Sequence, residues 1–519
     1  MMKAWNFILL GLMVCSGIFA QPAENQIVIT TNHPLVKIEK DIYGHFSEHL
    51  GRCIYDGIWV GEDSRIPNTR GIRNDIVKAL KEIGIPNLRW PGGCFAETYH
   101  WKDGIGPKES RPAIVNTFWG GVTEDNSFGT HEFMDLVEML GCDAFICGNL
   151  GSGTVQKMAE WVEYLTSDAK SPMTDLRKKN GRDEPWKVKY FGLGNENWAC
   201  GGNMDPDFYY DQIKRYQTFT NLHGRNKIVN VACGPAGDDY NWTEVMMKPH
   251  GPRPYLPFDA LGLHYYTFIQ SVAVDNDEWG WFSTFRDNYN LDNVITGHVN
   301  IMKRYEPKGG VALVVDEWGN WYNPEPGTNP SFLYQQNTIR DAISTAIGLN
   351  IFNKHAERVK MANLAQTVNV LQALILTEGD KMILTPTYYT YKMFKVHHDA
   401  YLLPMDLKCE NYTIKYQNIK DVSIPAISAS ASVNKDGVVH ITLANVKPND
   451  MISIRCYLVG SPFTKVTGEV LTAPDVTSHN SFENPDMVKP EPFKDVTLSG
   501  NTLTIHMPAK SVVMLSLRK

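Results

Sequence analysis

The sequence of 519 residues has no Cys-x-x-Cys pair, no phosphate-loop glycine motif and no zinc-finger spacing. The first absence argues against a dithiol redox site or a zinc ribbon, and the second against a nucleotide cradle. No basic run with interleaved aromatics occurs, and the net charge of −7 is spread through the chain. Both features speak against a nucleic-acid surface. Internal repeats and low-complexity segments are also missing. Beyond the first twenty residues no apolar run is long enough to cross a bilayer. What remains is 43% hydrophobic and 21% charged, the balance of a globular protein. The length exceeds one ordinary domain, although a barrel of roughly 250 residues or more can be a single unit.

The first twenty residues read as an export signal. Lys3 gives the positive start, Phe7 to Val14 the short apolar core, and Ala20 a small residue before a cut at Gln21. Soluble export, periplasmic or secreted, is the expectation. Lipidation at Cys15 is the weaker reading, because Val14 suits that reaction poorly. Eight cysteines then remain: Cys53, Cys94, Cys142, Cys147, Cys200, Cys233, Cys409 and Cys456. Their spacing shows no dense disulfide framework, so free buried thiols are expected for most. Aromatics are plentiful, with 13 Trp and 23 Tyr. Any one Trp is more readily explained by core packing. Several in Gly-rich stretches, such as Trp119-Gly120-Gly121 and Trp279-Gly280-Trp281, fit a cleft that stacks on sugar rings.

From about Asp41 to His398, short apolar runs alternate with helix-compatible stretches. The runs include those ending at Arg89-Trp90-Pro91-Gly92-Gly93, Ile146-Cys147-Gly148-Asn149 and Gly192-Leu193-Gly194-Asn195-Glu196. Others are Leu261-Gly262-Leu263-His264-Tyr265-Tyr266 and Val311 to Glu317. Between them Asp75 to Ile83, Thr130 to Leu140, Asp207 to Leu222 and Ser331 to Lys354 carry apolar residues at helical spacing. Continuous apolar strands alternating with helices imply a parallel sheet buried on both faces, and polar strand ends favour a (β/α)₈ barrel. From Tyr401 onward, strand-like alternation separated by Asn, Asp, Gly and Pro turns implies an all-β sandwich. The expected division is a signal at 1–20, a strand at 21–40 joining the sandwich, the barrel at 41–399 and the sandwich at 400–519.

Two acidic residues each end a buried run, Glu196 on the fourth strand and Glu317 on the seventh. A lone Glu after a strand is most often a solvated loop residue. Two such residues at the C-terminal ends of barrel strands could converge on one mouth. Glycoside hydrolysis needs such a pair, one carboxyl to protonate the leaving oxygen and one to attack or to activate water.

Tyr43-Gly44-His45-Phe46-Ser47-Glu48-His49-Leu50-Gly51, Arg89 to Phe95, Gly194-Asn195-Glu196-Asn197 and Asp316-Glu317-Trp318 together resemble glycoside hydrolase family 51, the α-L-arabinofuranosidases. Asn363 to Val370 and Thr385-Pro386-Thr387-Tyr388-Tyr389 continue the resemblance in order. The resemblance implies a retaining, exo-acting enzyme with Glu196 as acid/base and Glu317 as nucleophile. It implies sugar-binding positions at Glu48, Cys94, Asn195, Tyr266 and Gln366, with His264 in support. No metal or other cofactor is implied. The implied partner is an arabinose-containing polysaccharide or oligosaccharide, such as arabinan or arabinoxylan, and the implied assembly a homo-oligomer. Gly319-Asn320 and the Trp198 to Asn203 loop depart from the commoner bacterial pattern and are expected to shape the leaving-group side.

Three other readings compete. The same two Glu could serve an endo-β-1,4-glucanase or a β-xylosidase, and pocket shape would decide between them. A non-catalytic carbohydrate-binding protein would have one carboxylate replaced, yet both are present. His45 and His49 have i,i+4 spacing, but their segment reads as strand and loop and lacks a third metal ligand.

Overall fold

The computed structural model describes residues 25–220, 227–249, 255–417 and 420–519. Eight parallel strands close into a barrel: Gly44–Phe46, Asn87–Trp90, Asp143–Gly148, Val188–Leu193, Val229–Ala232, Ala260–Phe268, Ala312–Trp321 and Val359–Ala365. Their residues are buried almost without interruption, as strands covered by helices outside and side chains inside must be. One interior layer takes Phe145, Tyr190, Val231, Ala260, Val314 and Met361, one from each of strands three to eight. The barrel is therefore a filled core and leaves chemistry to its C-terminal rim.

The helices follow the apolar spacing closely. Asn74–Ile83 and Thr130–Leu140 each stop at a glycine in the left-handed region, Gly84 at φ 67° and Gly141 at φ 70°. The stretch from Ser331 behaves differently from its expectation. Pro330 opens a single 3₁₀ turn, Pro330–Phe332, and the α-helix itself begins only at Ile339. A capping box sets that start: Thr338 Oγ1 accepts from the Arg340 amide, and Asp341 accepts from the Thr338 amide at 2.8 Å.

Beyond the barrel lie two antiparallel-rich sheets. The five-stranded one places Asn25–Thr30 between Met405–Lys408 and Ile452–Val459, so the first described strand pairs with the last third of the chain. The six-stranded one is built around Ile427–Val433, Val439–Asn445 and Ser511–Arg518. Residues of both sheets belong to the same buried cluster, among them Ile454 and Leu503 from one and Ile441 and Leu515 from the other. No described helix is long and apolar enough to cross a membrane.

The helix Ile339–Lys354 joins the two parts. It is buried on every side from Ile339 to Asn353, which is why its sequence carries little amphipathic pattern. Two asparagines serve the junction. Asn350 accepts from Thr442 at 2.8 Å and donates to Ser428 at 3.1 Å, while Asn353 donates to Ser430 at 3.2 Å and accepts from Tyr43 at 2.9 Å. Trp281, fully buried, donates its indole N–H to the Val446 carbonyl at 2.8 Å. Replacing Asn350 with Ala takes this partner from the buried Ser428 hydroxyl and leaves Thr442 with His397 alone at 3.0 Å. Urea unfolding should therefore show a loss of about 1–3 kcal/mol. A neutral result would mean that the junction adds nothing to global stability.

Candidate active site

The strand ends deliver the polar residues to one mouth. Strand one ends before Glu48, strand two before Gly93 and Cys94, and strand four before Asn195 and Glu196. Strands six and seven carry His264, Tyr266, Asp316 and Glu317, and Gln366 follows strand eight. These two longer strands run past the rim and stay paired, Tyr266 with Gly319 and Phe268 with Trp321. The resulting cavity has a volume of about 520 Å³, and Glu48, Trp119, Glu196, Tyr266, Glu317 and Trp321 are among its walls.

Glu317 is 6% exposed and fully engaged. Its Oε1 accepts from Arg89 Nη1 at 2.7 Å and its Oε2 from the Tyr266 hydroxyl at 2.8 Å. Arg89, fully buried, also donates Nη2 to Asn195 Oδ1 at 2.7 Å. Such charge-assisted bonds fix both carboxylate oxygens in place. Gly93 is required here by space: a Cβ on it would stand 2.9 Å from Glu317 Oε1. His264 stands between the acids, with Nδ1 2.8 Å from Glu196 Oε1 and 3.5 Å from Glu317 Oε2. Its Nε2 lies 3.5 Å from Asp316 Oδ1. Burial works against its protonation, but the charges of Glu317 and Asp316 and the bonds to Asp316 and Glu196 outweigh it and hold its pKa well above the ordinary value. One ligand atom each from Glu196, His264 and Glu317 lies within 4.8 Å of the others.

The loop carrying Glu196 is clamped from below by Glu97. One Glu97 oxygen accepts from the Asn195 amide at 2.6 Å and from Asn197 Nδ2 at 2.9 Å. The other accepts from the Leu150 and Gly151 amides at 2.7 and 2.6 Å. Glu196 sits at φ 41°, a left-handed conformation that non-glycine residues seldom take. The Glu97 bonds on either side of Glu196 hold it there.

Glu48 makes the polar end of the cavity. Its Oε1 accepts from the Gly93 and Phe95 amides and the Trp119 indole, each at 3.0 Å, and its Oε2 from Gln366 Nε2 at 3.1 Å. Burial and the charge of Glu317 push its pKa up to about 7, against the pull of these donors.

All eight expected positions line or touch this mouth, but two details differ from expectation. Cys94 is joined to Cys200 by a disulfide across 106 residues, so its sulfur, 3.9 Å from Glu196 Oε2, donates no proton. Nothing in the spacing singled out that pair, and the other six described cysteines are free. Asn320, expected near the leaving group, is instead buried against Tyr322 and Asp341, its Nδ2 donating at 3.0 and 2.8 Å. Trp198, from the other unusual loop, does line the cavity. His45 and His49 do not converge: His45 packs on Tyr391, while His49 stacks on Phe95 and accepts from Trp90 Nε1 at 3.2 Å. Trp119, expected on a sugar-stacking cleft, does line the cavity, whereas Arg89, Glu97 and Asp316 were not among the candidate residues. Arg89 and Glu97 had one available signal, a charge embedded in an otherwise apolar run.

Two family models match the chain: the α-L-arabinofuranosidase 1 domain over residues 79–279 and the α-L-arabinofuranosidase C-terminal domain over 316–511. A Bacteroides ovatus protein named intracellular exo-α-L-arabinofuranosidase is 47% identical over 524 aligned residues, covering all of both chains. The crystal structure of the GH51 arabinofuranosidase from Xanthomonas axonopodis pv. citri superposes with a TM-score of 0.92 at 46% identity, covering 95% of this chain and 100% of that one. An arabinose complex of the Thermotoga maritima α-L-arabinofuranosidase gives 0.83 at 30% identity, covering 95% and 99%.

The chain belongs to glycoside hydrolase family 51. The same comparison overturns the expectation of export. The Bacteroides ovatus relative aligns with the whole chain, the N-terminal segment included, and is named as intracellular. The apolar stretch read as a signal, with Cys15, lies outside the described residues.

Within this family 51 site, Glu48 allows a pH test. Its folded-state pKa is raised from 4.5 to about 7, so its contribution to stability is full below 4.5 and is lost as pH rises through about 7. Wild type should therefore lose stability relative to Glu48→Gln across that window, read as the difference in Tm. A difference that stays flat or moves the other way would contradict the burial argument.

Proposed function

We propose that the chain is a retaining, exo-acting α-L-arabinofuranosidase in which Glu317 is the nucleophile and Glu196 the acid/base. The observation that carries this is the approach of the two carboxylates: an oxygen of each lies within 4.8 Å of the other. Retaining glycosidases hold their carboxyl groups about 5–5.5 Å apart, whereas inverting ones leave roughly 6.5–9.5 Å for a water molecule.

In the first step the Glu317 carboxylate attacks the anomeric carbon. The glycosidic C–O bond breaks, and Glu196 passes its proton to the departing oxygen. In the second step water attacks the same carbon, Glu196 takes a proton from it, and the bond to Glu317 breaks to release arabinose. Arg89 and Tyr266 hold the two Glu317 oxygens in place for the attack, and His264 brings positive charge beside both acids. Asn195 Oδ1 is held by Arg89, which fixes the orientation of its amide for a 2-hydroxyl. Glu48, with Gln366 and Trp119 bonded to it, forms a compact polar end suited to the hydroxyls of a terminal sugar. That shape favours a terminal arabinofuranose over an internal glucan bond. The family resemblance supports arabinan, arabinoxylan or related oligosaccharides as substrates, reaction without a metal or other cofactor, and a homo-oligomeric assembly.

Proton NMR of an aryl α-L-arabinofuranoside digest should show the α-anomer first. With Glu317→Ala, turnover should fall by several orders of magnitude on every arabinoside. With Glu196→Ala, natural linkages should fail while an activated aryl substrate is partly retained, and azide should restore turnover with a retained glycosyl azide. The β-anomer appearing first, or azide rescue of Glu317→Ala with inversion, would refute the assignment.

A further inference from the structure

The cavity over Glu196 and Glu317 continues past Tyr266 and Trp321. Strand six reaches Phe268, which stands 63% exposed on the rim with its ring 5.5 Å from that of Trp321. From there a second hollow of about 500 Å³ runs along the surface, sharing Phe268 and Asp287 with the first. One side of it is the N-terminal turns of the helix Glu278–Tyr305, where Trp279 is half-buried. Arg286 lies 5.3 Å above the Trp279 ring and donates Nε to Asp287 at 2.7 Å, while Tyr416 packs against the same indole with centroids 4.3 Å apart. The other side is the segment after strand six, carrying Gln270 and Asp275, both exposed. None of Gln270, Asp275, Trp279 and Arg286 has a part in the chemistry described above.

We propose that this second hollow is a distal acceptor subsite, holding neutral saccharide units of the leaving chain beyond the one bonded to the departing arabinofuranose. The proposal rests on the arabinofuranosidase reading of the catalytic cavity and extends it. A sugar ring offers an apolar face and a belt of hydroxyls that both donate and accept. Phe268 supplies open aromatic surface for the face, and Trp279, packed between its neighbours, holds Arg286 in place. Gln270 and Asp275 are acceptors and the Arg286 guanidinium a donor for the belt. In an exo-acting enzyme only the leaving chain extends beyond the pocket that holds the terminal sugar, so a hollow continuous with that pocket through Phe268 holds this chain. The carboxylates Asp275, Asp277 and Asp287 outnumber the single guanidinium, which disfavours an acidic, uronate-bearing chain.

Steady-state kinetics of the full-length protein on arabino-oligosaccharides of two to five units, beside an aryl arabinofuranoside, tests this. Wild-type kcat/KM should rise with chain length. Trp279→Ala and Arg286→Ala should each remove that rise, lowering kcat/KM on the longest substrate by about 3- to 10-fold. On the aryl substrate, which does not reach the hollow, both should match wild type. Arg286 is largely exposed, so its variant keeps the test valid if Trp279→Ala misfolds. Equal kcat/KM at every length in wild type, or equal losses on the aryl and the long substrate, would overturn the subsite. Failure of wild type to cleave any arabinofuranoside would instead overturn the catalytic reading on which it rests.

Discussion

The site is governed by the requirement that several charges buried together be balanced. Glu317, Asp316, Glu48 and Glu97 all lie under a tenth exposed within or beneath one barrel mouth. Burial at such depth pushes carboxylates toward the protonated form, as it does Glu48 and Glu97, both raised to about 7. Arg89 lies among three of the strand ends and binds Glu317 and Asn195 directly, with Asp316 3.7 Å from its Nε. His264, bonded to Glu196 and beside Asp316, brings the second positive charge. Removing either would leave a buried anion without compensation, which is far more costly than losing a surface pair.

The scaffold makes that balance possible by fixing where each strand ends. A filled interior layer keeps the barrel from shearing, and the eight strand ends then present their next few residues to the same space. The glycines serve the same end. Gly92 and Gly93 let the chain after strand two approach Glu48 and Glu317 closely, where a Cβ would collide with both acids. The loop after strand four depends on Glu97, two of whose four donors are Asn195 and Asn197 on either side of Glu196 and two the amides of Leu150 and Gly151. The sandwich stays outside this chemistry among the described contacts and is bound to the barrel through the helix Ile339–Lys354, buried from Ile339 to Asn353.

The architecture was legible because its signals are periodic. Continuous apolar runs alternating with helical spacing gave the barrel, and period-two alternation after Tyr401 gave the sandwich. Glu196 and Glu317 were legible because each closes such a run, and the family resemblance placed Glu48, Asn195, His264, Tyr266 and Gln366. What escaped depends on contacts between distant segments. The Cys94–Cys200 bond joins two loops through the fold, and no spacing rule marks it. Glu97 gains its meaning only when strand three's loop and strand four's loop meet above it. Asn320 was misplaced for a local reason: the backbone at Gly319, φ 146°, carries the chain to Asn320, whose side chain bonds inward to Asp341. The export reading failed for a different reason: a short apolar N-terminal run is a compositional signal, and the relative that aligns with it is named as intracellular.

The central claim is that Glu317 becomes covalently bonded to the sugar. A 2-deoxy-2-fluoro arabinofuranosyl substrate with a good leaving group destabilises the transition state of both steps, while the leaving group keeps the first fast enough to observe. Intact-protein mass spectrometry should then show one added fluoroarabinosyl group. Proteolysis and fragmentation should place it on the peptide carrying Val315-Asp316-Glu317-Trp318, at Glu317. An adduct on Glu196, or rapid processing of the same compound with no adduct at any time, would contradict the account.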